Sequence, residues 1–128
     1  MRRIFVFMLA CIFIAGSASA GLAIVQINET NFPDSTFRNY VSENFDTDKD
    51  GILSNNEILA AKRVDLDYEA VRSLQGIRNL TSLTELYCRG NSLTELDVSG
   101  LTSLREIYCS TTADRRLATI NLSGCSAL

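Results

Sequence analysis

The stretch Leu83-Thr84-Glu85-Leu86-Tyr87-Cys88 returns as Leu104-Arg105-Glu106-Ile107-Tyr108-Cys109, a shift of 21 residues. Just downstream, Leu93-Thr94-Glu95-Leu96-Asp97-Val98-Ser99-Gly100 returns as Leu117-Ala118-Thr119-Ile120-Asn121-Leu122-Ser123-Gly124, a shift of 24. The three extra residues fall within 110–116. A weaker copy, Val64-Asp65-Leu66 followed by Val71 and Leu74, lies 22 residues before Leu86, Cys88, Leu93 and Leu96. Self-similarity at this period means stacked units, each too small to bury its own apolar face. Each copy is expected to supply one short strand, around 85–89 and 106–110. Alternate side chains on a strand point to opposite sides. Leu86, Cys88, Ile107 and Cys109 then face inward. Glu85, Tyr87, Arg89, Glu106, Tyr108 and Ser110, with Asp65 and Asp67 of the first copy, face outward. Stacking builds a parallel ladder at ~4.8 Å spacing.

Leu83, Leu86, Cys88, Asn91 and Leu93 fit the leucine-rich-repeat template L-x-x-L-x-L-x-x-N-x-L, with one Leu replaced by Cys. Asn91 is expected to hold the turn after the strand by bonding to backbone. Its counterpart, Thr112, sits beside the insertion, so that turn is expected to be looser. A unit of about 21 residues leaves little room for a full helix on the return side, so extended or 3₁₀ returns are predicted.

Working back toward the N-terminus, residues 46–57 read Asp-Thr-Asp-Lys-Asp-Gly-Ile-Leu-Ser-Asn-Asn-Glu. They satisfy D-x-[DN]-x-[DN]-G-x₅-E at every specified position. A hard cation with six to eight oxygen ligands needs this spacing. Asp46, Asp48 and Asp50 supply carboxylates, Ile52 its carbonyl, Ser54 a water-bridging hydroxyl, and Glu57 a bidentate carboxylate. Gly51 can take the sharp turn at φ > 0, and Leu53 faces inward. The expected ion is calcium.

A helix pattern flanks this loop on each side. Pro33 and Asp34 suit a first helical turn, and Phe37, Tyr40, Val41 and Phe45 make one stripe. After the loop, Ser54 and Glu57 form a capping box, with Ile58, Leu59, Ala61 and Val64 as the apolar face. Glu57 therefore has two candidate jobs, cap and calcium ligand. Helix–loop–helix is the EF-hand unit. Such loops usually come in pairs, and no second loop is visible. Asp65-Leu66-Asp67-Tyr68-Glu69 is acidic but has no Gly at the turn position. Ile24, Val25 and Ile27 suit a brief strand or extended segment on the core.

Residues 1–20 read as a secretory signal. Arg2 and Arg3 are followed by an apolar run from Ile4 to Ala15 and by Ala18-Ser19-Ala20. The run is shorter than the roughly 20 residues that span a bilayer. Secretion or a cell-surface location is expected, with the periplasm as a variant, and no membrane span remains after cleavage. Cleavage also removes two of the 12 basic residues, leaving 10 against 15 acidic ones, a net charge of −5. That balance argues against nucleic acid as partner. The chain contains no His, which removes His-based triads and most catalytic zinc sites.

Of four cysteines, Cys11 leaves with the signal. Cys88, Cys109 and Cys125 are expected to serve as small buried hydrophobes. A Cys88–Cys109 bridge is the alternative, since neighbouring strands bring Cα atoms within range.

The segment Asn31-Phe32-Pro33-Asp34-Ser35-Thr36-Phe37-Arg38-Asn39-Tyr40-Val41, the loop, Ser73-Leu74-Gln75-Gly76-Ile77 and the two repeat motifs together resemble secreted or surface bacterial leucine-rich-repeat proteins with an N-terminal EF-hand segment. The resemblance implies a binding role outside the cytoplasm. The expected fold is α+β, in which a helix–loop–helix unit (21–63) caps a short repeat solenoid (64–128, about two and a half copies). Phe37, Val41, Phe45 and Ile58 would pack on the repeat core. The chain is expected to be non-enzymatic, with a protein or glycan ligand on Glu85, Tyr87, Arg89, Glu106 and Tyr108. The array is expected to be incomplete, leaving Leu117, Ile120, Leu122 and Leu128 on an open end that offers a route to self-association. Alternatives are the targeting or substrate-binding end of a calcium-dependent hydrolase, and a dockerin-like docking module.

Overall fold

A computed structural model of the chain describes residues 24–113 and 116–128. The signal expectation for 1–20 lies outside them. The described chain mixes a few helices with parallel sheets. Its elements begin with β1 (Val25–Gln26), α1 (Ser35–Asn44), β2 (Ile52–Leu53), α2 (Asn55–Ala60) and β3 (Arg63–Asp65). They continue with β4 (Glu85–Asn91), β5 (Glu95–Asp97), β6 (Glu106–Thr111) and β7 (Thr119–Asn121). A 3₁₀ turn, Ile77–Asn79, lies between β3 and β4.

The sequence shifts are the strand registers. β3 and β4 pair in parallel with Val64 opposite Leu86. β4 and β6 pair in parallel with Leu86 opposite Ile107 and Cys88 opposite Cys109. β5 and β7 form a second parallel pair with Leu96 opposite Ile120. Residues separated by one period therefore lie side by side, which is why similar side chains recur at each height.

One apolar cluster runs from Phe32 through Phe37, Val41, Leu53 and Ile58 to Val64, Leu86, Cys88, Leu96 and Leu104. Phe45 packs against it, partly buried. The helical segment and the strands thus share a single core. Two backbone ties reinforce the junction. Asp34 caps α1 by accepting from Phe37 N at 3.0 Å, and its other oxygen accepts from Arg72 N and Ser73 N at 2.8 and 3.2 Å. Tyr40 Oη accepts from Asp65 N at 3.0 Å. Gly76, at φ +103°, lies against Asn31 and the Phe32 ring, where a Cβ has no room.

Asn91 is completely buried. Its Oδ1 accepts from Val71 N at 2.8 Å and its Nδ2 donates to Leu66 O at 2.7 Å. It therefore ties the segment after β3 to the end of β4, replacing backbone partners that the turn cannot supply. Near the insertion, Thr112 N donates to Asn91 O at 3.0 Å, so the turn after β6 also leans on Asn91.

Three expectations need correction. The helix after the loop stops at Ala60, and Leu59 is 51% exposed rather than part of an apolar face. Val64 belongs to β3, because Lys62 O accepts from Thr84 N and Glu85 N and draws the chain into the ladder. The inward residues of β6, Ile107 and Cys109, are only partly buried. Among the described residues β6 is a sheet edge, so these side chains have a neighbour on one side only.

Candidate functional site

The acidic loop is built by its own side chains bonding to its own backbone. Asp46 is buried, and its two oxygens accept from Asp50 N at 3.1 Å and Gly51 N at 3.0 Å. Asp48 Oδ1 accepts from Asp50 N at 3.3 Å, and Asp50 Oδ1 from Ile52 N at 2.9 Å. Gly51 takes φ +82°, as the turn requires. The result gathers carboxylate oxygens of Asp46, Asp48 and Asp50 within 4.8 Å of one another.

Three carboxylates at that distance repel unless a cation or a proton joins them. Partial desolvation holds the Asp48 carboxyl above its ordinary range, and the negative charges of Asp50, Glu57 and Asp46 add to this. Lys49, the one cation within 46–57, turns away and donates to Ser42 O at 2.7 Å. None of the ion pairs among the described residues involves the three aspartates.

Glu57 stands outside the 4.8 Å cluster. Its Oε1 accepts from Thr47 N at 2.6 Å and Thr47 Oγ1 at 2.8 Å; its Oε2 accepts from Ser54 N at 2.9 Å and Ser54 Oγ at 2.8 Å. It is the third helical residue of the capping box whose N-cap is Ser54, and the latch that closes the loop onto that helix. Ser54 Oγ completes the capping box. The hydrogen bond from Ser54 N, with those from Thr47 and the Ser54 hydroxyl, pulls the Glu57 carboxyl down to about 2 from an ordinary 4.5. A carboxyl whose folded pKa is depressed stabilises the fold fully above its unfolded pKa. That contribution fades as pH falls from about 4.5 to about 2. Glu57→Gln keeps the shape but removes the charge, so it is expected to cost about 1.5–3 kcal/mol at pH 7. The deficit relative to wild type should shrink below pH 4 in acid-titrated thermal melts; a constant deficit from pH 7 to pH 2 would contradict this role.

The loop's backbone has a partner that the sequence concealed. Ile52 and Leu53 pair antiparallel with β1, Gln26 opposite Ile52 and Val25 opposite Leu53. Ile27 N donates to Gly51 O at 3.0 Å. The segment ahead of α1 thus pairs with the loop's own short strand. Ile52 stands opposite Gln26 in this pair, and its N–H donates to Asp50 rather than to β1.

The outward face of the ladder forms a second constellation. The Tyr87 and Tyr108 rings stack with centroids 4.8 Å apart and planes 13° apart. Arg63 Cζ lies 3.9 Å from the Tyr87 centroid, and Arg89 Cζ lies 6.0 and 5.8 Å from Tyr87 and Tyr108. Arg63 is held by Asp65 at 2.9 Å and Glu85 at 3.0 Å, and Tyr87 Oη donates to Glu85 at 3.1 Å. Arg89 Nε donates to Asp67 at 2.8 Å, and a second nitrogen of the guanidinium also bonds to it. Arg89's hydrogen bond holds the Asp67 carboxyl below its ordinary range. Glu106 is exposed and makes no ion pair among the described residues.

Sequence reasoning placed Glu85, Tyr87, Arg89, Glu106 and Tyr108 together but missed Arg63, which completes the stack. The signal was present: Arg63 stands 22 residues before Glu85, so extending the weakest copy by one residue places it there. Cys88, Cys109 and Cys125 are free thiols. Cys88 is buried, and its hydrogen bond with Cys109, together with burial, pushes its thiol up. Cys125 is partly buried, with Sγ 3.2 Å from Val98 O.

No protein-family model matches the chain. Among characterised proteins, Internalin J of Listeria monocytogenes serotype 4b (strain F2365), a leucine-rich-repeat protein, is 31% identical to it over 68 residues. The match covers 53% of this chain and 7% of Internalin J. The similarity is to a small part of a much longer protein.

Proposed function

We propose that this chain is an extracellular leucine-rich-repeat module in which an EF-hand-like calcium loop stabilises the first layer and the outward ladder face binds a protein or glycan. The observation that carries the calcium reading is the cluster of Asp46, Asp48 and Asp50 with its one loop cation turned away. Asp46, Asp48 and Asp50 would hold the ion first. The Ile52 carbonyl and Ser54 belong to the same spacing pattern. Glu57 would have to exchange its bonds to Thr47 and Ser54 for the ion. Calcium would relieve the carboxylate repulsion and so tie ion binding to folding.

The repeat reading is supported by parallel registers of 21, 22 and 24 residues and by the similarity to Internalin J. The binding reading is supported by the stacked, partly exposed tyrosines beside charged groups. Tyr offers large contact area at low entropic cost. The apolar run from Ile4 to Ala15, followed by Ala18-Ser19-Ala20, supports export.

Extracellular calcium modules bind with a Kd of about 10⁻⁴–10⁻³ M. At 10 mM calcium such a site adds roughly 1.4–2.7 kcal/mol of stability, or a Tm rise of several degrees. Thermal melts of the protein in calcium and in chelator should show this rise. It should vanish in Asp48→Asn, an exposed position whose change leaves the buried Asp46 bonds intact. Superimposable melts of the wild type with and without calcium would overturn the reading.

A further inference from the structure

A cavity of about 430 Å³ opens where three pieces of the chain meet. The segment ahead of α1 contributes Thr30 and Asn31, the return after β3 contributes residues 73–79, and β5 contributes Glu95 and Asp97. None of its lining residues lies on β3, β4 or β6, so it is separate from the outward ladder face. Its volume lies within the range of about 300–1,000 Å³ usual for small-molecule sites.

Part of the wall is fixed by bonds of its own. Asn31 Nδ2 donates to Gln26 O at 2.8 Å, which leaves Oδ1 facing no donor among the described residues. Arg78 Nε donates to Ser99 O at 2.9 Å, and its Nη1 stands 3.7 Å from Asp97 Oδ2. The Ser99 hydroxyl and N–H donate to Asp97 Oδ1 at 2.6 and 3.0 Å, and they hold that carboxyl below its ordinary range. Gly76 is wedged against Asn31 and Phe32. By contrast, the side chains of Gln75, Asn79 and Glu95 have no hydrogen-bond or ion-pair partner among the described residues.

The donor set narrows the ligand. Leu74 is the one apolar side chain in the wall, and it is buried, so a hydrocarbon or aromatic ligand finds no matching side chain. Two carboxylates against one guanidinium disfavour a phosphate or carboxylate ligand. Amides both donate and accept, and a carboxylate accepts from two hydroxyls at once. That combination suits a neutral molecule rich in hydroxyl groups. We propose that this cavity binds a neutral saccharide. Gln75, Asn79 and Glu95 hydrogen-bond its hydroxyls, between Asn31 on one side and the Arg78–Asp97 pair on the other. A sugar seated there touches three separate pieces of the fold and stabilises it by binding only the folded state.

The probe is an array of neutral oligosaccharides of glucose, galactose, mannose and N-acetylglucosamine, with uronic-acid and sialylated counterparts. It is read with wild type, Glu95→Ala, Gln75→Ala and Tyr108→Leu. Glu95 and Gln75 are exposed, so both changes leave the core intact. Neutral saccharides are expected to be retained over acidic ones. Retention should fall at least tenfold in Glu95→Ala and in Gln75→Ala and stay unchanged in Tyr108→Leu. The retained saccharide should also raise the Tm of wild type and leave that of Glu95→Ala where it was. No retained neutral saccharide, a preference for acidic ones, or retention that survives both cavity variants would overturn the proposal. If retention survives them and is lost in Tyr108→Leu, the glycan sits on the ladder face instead. An equal loss in all three variants overturns it too, because such a loss does not come from the cavity.

Discussion

Replacing Asn91 with alanine is expected to destabilise the protein by about 2–6 kcal/mol, because it strands two buried backbone groups at about 1–3 kcal/mol each. Val71 N–H loses its acceptor and Leu66 C=O loses its donor, in a place where the wild-type side chain is fully buried and water has no access. The two orphaned groups lie on the segment after β3, so the damage reaches the neighbouring copy as well as the mutated one. Urea denaturation at neutral pH reads the change as a lower midpoint. Asn91→Asp is a sharper variant. It keeps an acceptor for Val71 N–H, loses the donor for Leu66 O, and places a charge in a dry site, which costs more than removing the side chain unless the carboxyl takes up a proton. A midpoint within error of wild type for both variants would mean that the turn holds by backbone bonds alone.

Leu86→Ala is expected to cost about 2–5 kcal/mol, the range for truncating a buried Leu. Leu86 sits between Val64 and Ile107 on the middle strand of the three-stranded sheet. Both neighbouring strands fix its surroundings, so the cavity left by three missing carbons cannot collapse easily. Ile107→Ala, at the matching height on the edge strand, should cost clearly less, since that side chain is only partly buried. The comparison matters more than either value. Similar costs at the two positions would mean that Ile107 is covered on its outer side in solution, and near-neutral Leu86→Ala would put the strand register in question.

Much of the ladder was legible because the chain states the same thing repeatedly. Leu86 with Ile107 and Cys88 with Cys109 are matched by sequence alone, and each match is a register pair in space. Asp34 as a helix cap, Gly51 at positive φ and Asn91 as a buried turn clamp each follow from a side chain that suits one backbone geometry. The clustering of Asp46, Asp48 and Asp50 followed from loop spacing.

Other features left no such mark. The pairing of Val25–Gln26 with Ile52–Leu53 joins two unrelated pieces of sequence through backbone bonds, which carry no side-chain signature. The early end of α2 depends on where Lys62 O finds its donors, and those lie on residues 84 and 85. The seating of Arg63 on Tyr87 depends on rotamers and on Asp65 and Glu85 competing for one guanidinium. The bonds from Thr47 N–H and its hydroxyl to Glu57 Oε1 left no mark either, because they join residues ten apart through a loop whose pattern specifies nothing at position 47.

The short antiparallel pair of β1 with β2 bears on the order in which the chain can assemble. Val25 meets Leu53 across 28 residues, and every later strand meets its neighbour across 20 to 24. No strand waits for a distant part of the sequence. Closing loops of such similar length costs nearly the same entropy at each step. A chain emerging N-terminus first can therefore finish one layer and offer its edge as the template for the next. Folding can keep pace with synthesis, in the direction in which the chain appears.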